Sequence, residues 1–285
     1  MNGTLTLPAR RPSIRALAGF TGTALIVGYC LLPFYWMTVS SFRRTSDLFS
    51  TTALPAPWSL ENYRAVLAPG NGFGRALLNS LIVAGTTTVL TLVIATFAAY
   101  ALARLTFRGK TAVLSIILAT SMFPGISLLV PLLKLFSNDL HWVNTYQAMI
   151  VPSLAFSLPL AVWNLSAFFR QLPRELEQAA MVDGCTPGQA FRKVILPLTA
   201  PGVFTTAILT FIGAWNEFLI ALSMVNRDSM RTANVAIAQF SGATGFDIPY
   251  GTKMAAGVIV TVPLVVIVLI FQRRIIAGLT AGAVK

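Results

Sequence analysis

Long apolar stretches and short polar ones alternate along this chain. Charge-free runs occupy residues 16–42, 76–103, 111–133, 142–169, 194–215 and 254–272. About 20 apolar residues cross a bilayer, so each run is long enough. The pattern predicts six membrane helices, the fifth continuing past Glu217 to about Met224. A signal-peptide core has only about 7–15 apolar residues. The 27 uncharged residues of the first run therefore predict an uncleaved span. Prolines at Pro124, Pro131, Pro152, Pro159 and Pro263 predict kinks or local unwinding, sharpest at Pro124-Gly125. Small residues at Gly85, Ala95, Ala98 and Ala99 permit close helix contact.

Composition agrees with the pattern. The chain is 55% hydrophobic and 11% charged, with mean hydropathy +0.74, whereas soluble domains carry about 25% charged residues. A surface so poor in charge must face lipid. The net charge of +12 is not a nucleic-acid signal here, because membrane proteins gather Lys and Arg in cytoplasmic loops. With the N-terminus cytoplasmic, 13 basic residues fall on that side and 8 on the other. Both termini and the connection 170–197 are thus predicted to be cytoplasmic. Residues 1–15 read as a basic tail and 43–75 as an extracytoplasmic loop. Cys30 and Cys185 lie in dissimilar settings and predict two free thiols. His141 has no companion ligand, so no metal site is expected.

The polar connection from Arg170 to Pro197 reads RQLPRELEQAAMVDGCTPGQAFRKVILP and holds seven of the charged side chains. Pro173 suits the first turn of a helix. Leu176, Ala179 and Ala180 give that helix a narrow apolar face, and Gly184 is its C-cap candidate. Thr186-Pro187-Gly188-Gln189 has the pattern of a capping box opening a second helix. Phe191, Val194 and Ile195 supply the second apolar face, and Leu196-Pro197 is expected to end it. Two short helices joined by a tight turn are predicted.

The run EQAA…DG…F…I-LP resembles the EAA loop of ABC-importer permeases, the coupling helix that a cytoplasmic ATPase subunit grips. The resemblance assigns ATPase coupling to Glu177, Gln178, Ala179, Ala180, Asp183, Gly184, Phe191, Ile195, Leu196 and Pro197. Counting back from Gly184, the family's glutamate position holds Gln178. A glutamine can accept or donate a hydrogen bond but forms no charged pair, so contact there is weakened. Glu177 is a substitute for the charge, although it points about 100° away around the helix.

Polar residues inside the runs are functional candidates. Asn164 lies deep in the fourth run, and Trp215-Asn216-Glu217-Phe218 lies toward the outer end of the fifth. An amide and a carboxylate beside an indole ring suit a sugar, whose hydroxyls take the polar groups and whose apolar face takes the ring. The competing role for Glu217 is to cap a hydrogen-bond network between helices or to pair with an outer arginine. WNEF, the external run TANVAIAQFSG and the tail from GTKMAAG to the C-terminus resemble the second permease of carbohydrate importers, the maltose-permease G type. Residues 76–285 then form the permease domain. This resemblance implies an all-α membrane protein of six spans with the type I importer permease fold, in the cytoplasmic (inner) membrane. It implies a homologous second permease, two ATPase subunits and an extracytoplasmic sugar-binding protein as partners. Within that group, APG…AILTFI…AW and FQRRIIAGLTAGAVK resemble trehalose-importing permeases, which implies a disaccharide as substrate; another sugar or a glycerophosphodiester is the alternative.

Other classes fare poorly. The glycines at 70, 72 and 74 follow no strand, and Gly109-Lys110-Thr111 has Arg104 where a phosphate loop needs its first glycine. ATP and magnesium chemistry is therefore expected on partner subunits, and no catalytic residue or cofactor is assigned to this chain. A helix-turn-helix reader of DNA lacks room for its supporting helices between two membrane runs. Ion-driven carriers tend to show internal repeats and paired intramembrane acids; Glu217 stands alone.

Overall fold

The structure, a computed structural model, describes residues 14–240 and 249–281, with side chains over 19–240 and 249–272. The basic tail expected over 1–15 lies almost wholly outside the described residues, as do Ser241 and Gly242 of the external run. Helix α1 (Ile14–Ser41) is followed by a long connection containing α2 (Glu61–Val66). Gly72, at φ +60°, opens α3 (Phe73–Arg104), and Gly109, at φ +84°, opens α4 (Lys110–Ser121). The chain then folds through α5 (Leu129–Lys134) into α6 (Tyr146–Gln171). The polar connection supplies α7 (Glu175–Val182), α8 (Pro187–Ala190) and α9 (Leu196–Leu198). The remainder is α10 (Ala200–Trp215), α11 (Leu219–Met224), α12 (Ala233–Gln239) and α13 (Tyr250–Ala281).

Four helices are long and apolar enough to cross a membrane, and two bent pairs bring the number to six among the described residues. The all-α expectation holds, with two corrections to the spans. The third run is not one rod: its halves meet at 84°. Helix α4 has 12 residues, which at about 1.5 Å each falls short of a hydrocarbon core about 30 Å thick. Pro124 and the following 3-10 turn Gly125–Leu128 account for the break. The fifth run is also divided. Val194 to Leu198 continue the helix of the polar connection, which meets α10 at 70°. Pro201 explains that angle, since it cannot donate to the carbonyl of Pro197 and its ring collides with it. The expected extension past Glu217 is a separate helix, α11.

Helix α3 is the axis of the bundle. Its Ala84, Ala95 and Ala99 are fully buried and let α6 and α10 approach closely. Gly85 does not serve that purpose: a Cβ there would meet nothing within 4 Å. The tight approach is at Gly202 instead, where a Cβ would stand 2.4 Å from the Phe168 ring. Helices α1 and α13 pack on one another at the periphery and expose Leu25, Ile26, Leu269 and Ile270, as a lipid-facing surface should. At the bundle end opposite the polar connection, Arg43 is buried. It donates to the carbonyls of Ser50 and Thr52 and lies 5.2 Å from the Trp36 ring centroid.

Candidate coupling loop and central cavity

The polar connection is two capped helices, built much as its residues dictate. Helix α7 starts at Glu175, two residues after Pro173, with Glu175 and Glu177 in the first turn where the helix dipole favours anions. Gly184 ends it at φ +87°. The Cys185 N–H reaches back to Ala180 O at 3.0 Å and the Gly184 N–H to Met181 O at 3.1 Å, the paired bonds of a Schellman cap. Thr186 then caps α8: Gln189 N–H donates to Thr186 Oγ1 at 3.3 Å, and Thr186 N–H donates to Gln189 Oε1 at 2.9 Å. Both halves of the capping box are present. Leu196 and Pro197 do not terminate the second helix. It runs through a π-helical turn, Phe191–Ile195, into α9 before bending at Thr199.

The two helices present distinct inner and outer sides. Ala180, Ala190 and Ile195 are buried, and Leu176, Phe191 and Val194 pack beside them on the ends of α3 and α6. Ala179 departs from the expected apolar face and is exposed. It belongs with Gln178, Met181, Asp183 and Val182 on the outer side, where Val182 is 87% exposed. Glu177 faces inward. The Tyr100 hydroxyl donates to its Oε1 at 2.7 Å, and Arg104 Nε lies 3.7 Å from its Oε2. The charge that was to substitute at the outer surface thus has two internal partners.

A cavity of about 270 Å³ opens between α6, α10 and α11. Asn164 and Glu217, 53 positions apart, both line it, together with Ser153, Ser157, Thr206 and Thr210. Trp215 and Asn216 do not line it. Trp215 is buried among α3, α12 and α13 residues with its ring stacked on Phe211, centroids 5.6 Å apart. Asn216 is exposed and donates to Ile212 O at 2.9 Å. Helix α10 stops at Trp215 and Glu217 lies in the link before α11, so the indole stays in the core while the carboxylate turns to the cavity, and no joint sugar platform forms. Glu217 accepts the N–H groups of Ile220 at 2.7 Å and Ala221 at 3.0 Å, so it also caps α11. The hydropathy pattern passes over the four hydroxyl residues. Their signal is the four-residue spacing of Ser153–Ser157 and Thr206–Thr210, which sets each pair on one helix face.

A bundle of apolar helices with a capped two-helix platform at one end, and a cavity lined by both hydroxyl and apolar side chains within, is the architecture of a membrane permease. Residues 91–280 match the family described as binding-protein-dependent transport system inner membrane component. The chain belongs to that family and is a multi-pass ABC-importer permease of the maltose-permease G type. It is 48% identical over 261 residues to the trehalose transport system permease protein SugB of Mycobacterium tuberculosis, covering 92% of this chain and 94% of that one. It is 43% identical over 277 residues to the trehalose/maltose transport system permease protein MalG of Thermococcus litoralis, covering 97% and 99%. Its fold matches a chain of the bacterial ABC transporter that imports alginate, with a TM-score of 0.75 at 19% identity, covering 94% and 99%.

Proposed function

We propose that this chain is one of two membrane halves of an ATP-driven importer for a disaccharide, trehalose foremost, and that α7 and α8 seat the ATPase subunits. The observation that carries the reading is the outer side of α7, where Gln178, Ala179, Met181 and Val182 stand exposed on a helix closed at its C-terminal end by the Gly184 cap and followed at once by the capped α8. Exposed apolar residues on so short and rigid a helix suit a partner's groove. Both termini and the platform face the cytoplasm; the external end meets a sugar-binding protein, and a homologous permease completes the pathway. ATP and magnesium are held by the ATPase pair. When that pair closes on ATP it carries α7 and α8 with it, and the bundle rocks to expose the cavity.

Within the cavity, Asn164 and the carboxylate of Glu217 offer the hydrogen-bonding groups that sugar hydroxyls take. Two of the most similar relatives carry trehalose in their names, which favours that sugar over the wider class. An ion-driven carrier is disfavoured because Glu217 already serves a helix end. Co-expression of the four kinds of subunit tests the reading, with ATPase recovery on the purified permease and uptake of labelled trehalose and maltose as readouts. Recovery of ATPase without α7, or uptake unaffected by loss of ATP, overturns it.

A further inference from the structure

We propose that Glu177 is a positioning residue that ties the ATPase-seating helix α7 to the membrane span α3. The proposal rests on the reading of α7 as the ATPase seat. It concerns how a displacement of α7 reaches the bundle, not how the ATPase is gripped.

Tyr100 and Arg104 are one turn apart at the end of α3, so their side chains share one face. Both converge on Glu177, Tyr100 through a 2.7 Å hydrogen bond and Arg104 through a 3.7 Å ion pair. The Arg104 and Glu177 side chains are only 4% and 15% exposed, so their attraction is screened far less than that of a surface pair. Nε and Nη2 of Arg104 have no hydrogen-bond partner, and no other carboxylate among the described residues pairs with that guanidinium. Glu177 is therefore the counter-charge for a buried cation, and its removal leaves that cation uncompensated.

The second loop helix meets the same point. The Phe191 ring lies 4.5 Å from the Tyr100 ring centroid, and Tyr100 stands edge-on to Phe169 of α6 at 5.8 Å. The caps at Gly184 and at Thr186–Gln189 do not involve Glu177. Without its carboxylate the loop retains its own shape and its outer face, but its polar attachment to α3 is gone. Seating and transmission thus lie on different faces of one helix, about 100° apart, Gln178 outward and Glu177 inward.

The test uses the full complex with its binding protein in proteoliposomes and trehalose as the transported probe. Glu177→Gln is expected to copurify ATPase in the wild-type ratio with basal hydrolysis unchanged. Trehalose moved per ATP hydrolysed should fall about tenfold, the scale of one lost charge-assisted bond. Tyr100→Phe, which removes a single hydroxyl, should lower the same ratio about threefold. Val182→Glu, on the outer face, should do the converse and reduce ATPase recovery. ATPase loss in Glu177→Gln as severe as in Val182→Glu would make Glu177 a docking contact and overturn the proposal. So would an unchanged transport ratio in both Glu177→Gln and Tyr100→Phe. If Val182→Glu keeps its ATPase, the seat assignment fails instead, and that result is separate because it does not touch Glu177.

Discussion

The hydroxyl of Tyr100 and the carboxylate of Glu177 are 2.7 Å apart although 77 positions separate them. One belongs to a helix long enough to span the bilayer and the other to a polar loop, so this contact joins the two physical regimes of the chain. A glutamate beside the family's expected position has been drawn inward, and the neutral Gln178 is left on the surface. Gln178→Glu should therefore restore a charge on the outer face. The expected outcome is ATPase recovery equal to or above wild type, lost in high salt as screened pairs are, measured by pull-down across a salt series.

Gly184 sits in the left-handed region at φ +87°, where a side chain costs about 1–2 kcal/mol. Gly184→Asp should loosen the turn between α7 and α8 while the spans still insert. Pull-down of ATPase and sugar uptake are expected to be abolished together; normal values of both would remove the platform from its assigned role.

Glu217→Gln keeps one acceptor for the α11 amides but replaces the other with an N–H₂ donor facing a donor. Uptake should fall, with ATPase recovery unchanged. Trp215→Ala should behave differently. Truncating a buried tryptophan costs about 3–5 kcal/mol, so thermal stability in detergent should drop, and any loss of uptake should track loss of folded protein.

Gly202→Ala pushes a methyl against the Phe168 ring. The collision should destabilise the α6–α10 contact by about 1–3 kcal/mol, read as a lowered unfolding temperature. Adding Phe168→Leu should recover part of it, since neighbours in contact are not additive.

At the bundle end opposite the polar connection, Glu61 accepts from the Thr45 backbone N–H and from its hydroxyl at 3.0 Å. Those bonds hold the carboxylate below its ordinary value of 4.5. The folded group thus binds protons less readily than the unfolded one. Its contribution is present above pH 4.5 and is lost as pH falls through the folded value. Protection of the Thr45 amide, taken relative to its intrinsic exchange rate at each pH, should fall over that acid range, and Glu61→Gln should flatten the dependence.

The apolar runs and the loop caps were legible because each is local. Run length sets a span, glycine permits positive φ, and Thr186 with Gln189 closes its box three residues apart. The inward turn of Glu177 was not legible, because it depends on Tyr100 and Arg104 from a distant helix. Nor was the separation of Trp215 from Glu217, which follows from where α10 stops. Asn164 and Glu217 meet in one cavity as candidates from separate runs, and only the packing of α6 against α10 could reveal that.

The elbow at Pro124 has a thermodynamic consequence for the isolated polypeptide. Between Met122 and Ser127 the peptide groups leave regular helix, and Met122 and Ile126 are 86% and 64% exposed. Hydrocarbon tolerates irregular backbone only where protein or water covers it, so this segment must be sheltered by protein or wetted. A lone copy is accordingly an unfinished solute for oil, and its shelf life in detergent should lengthen once its neighbours are added.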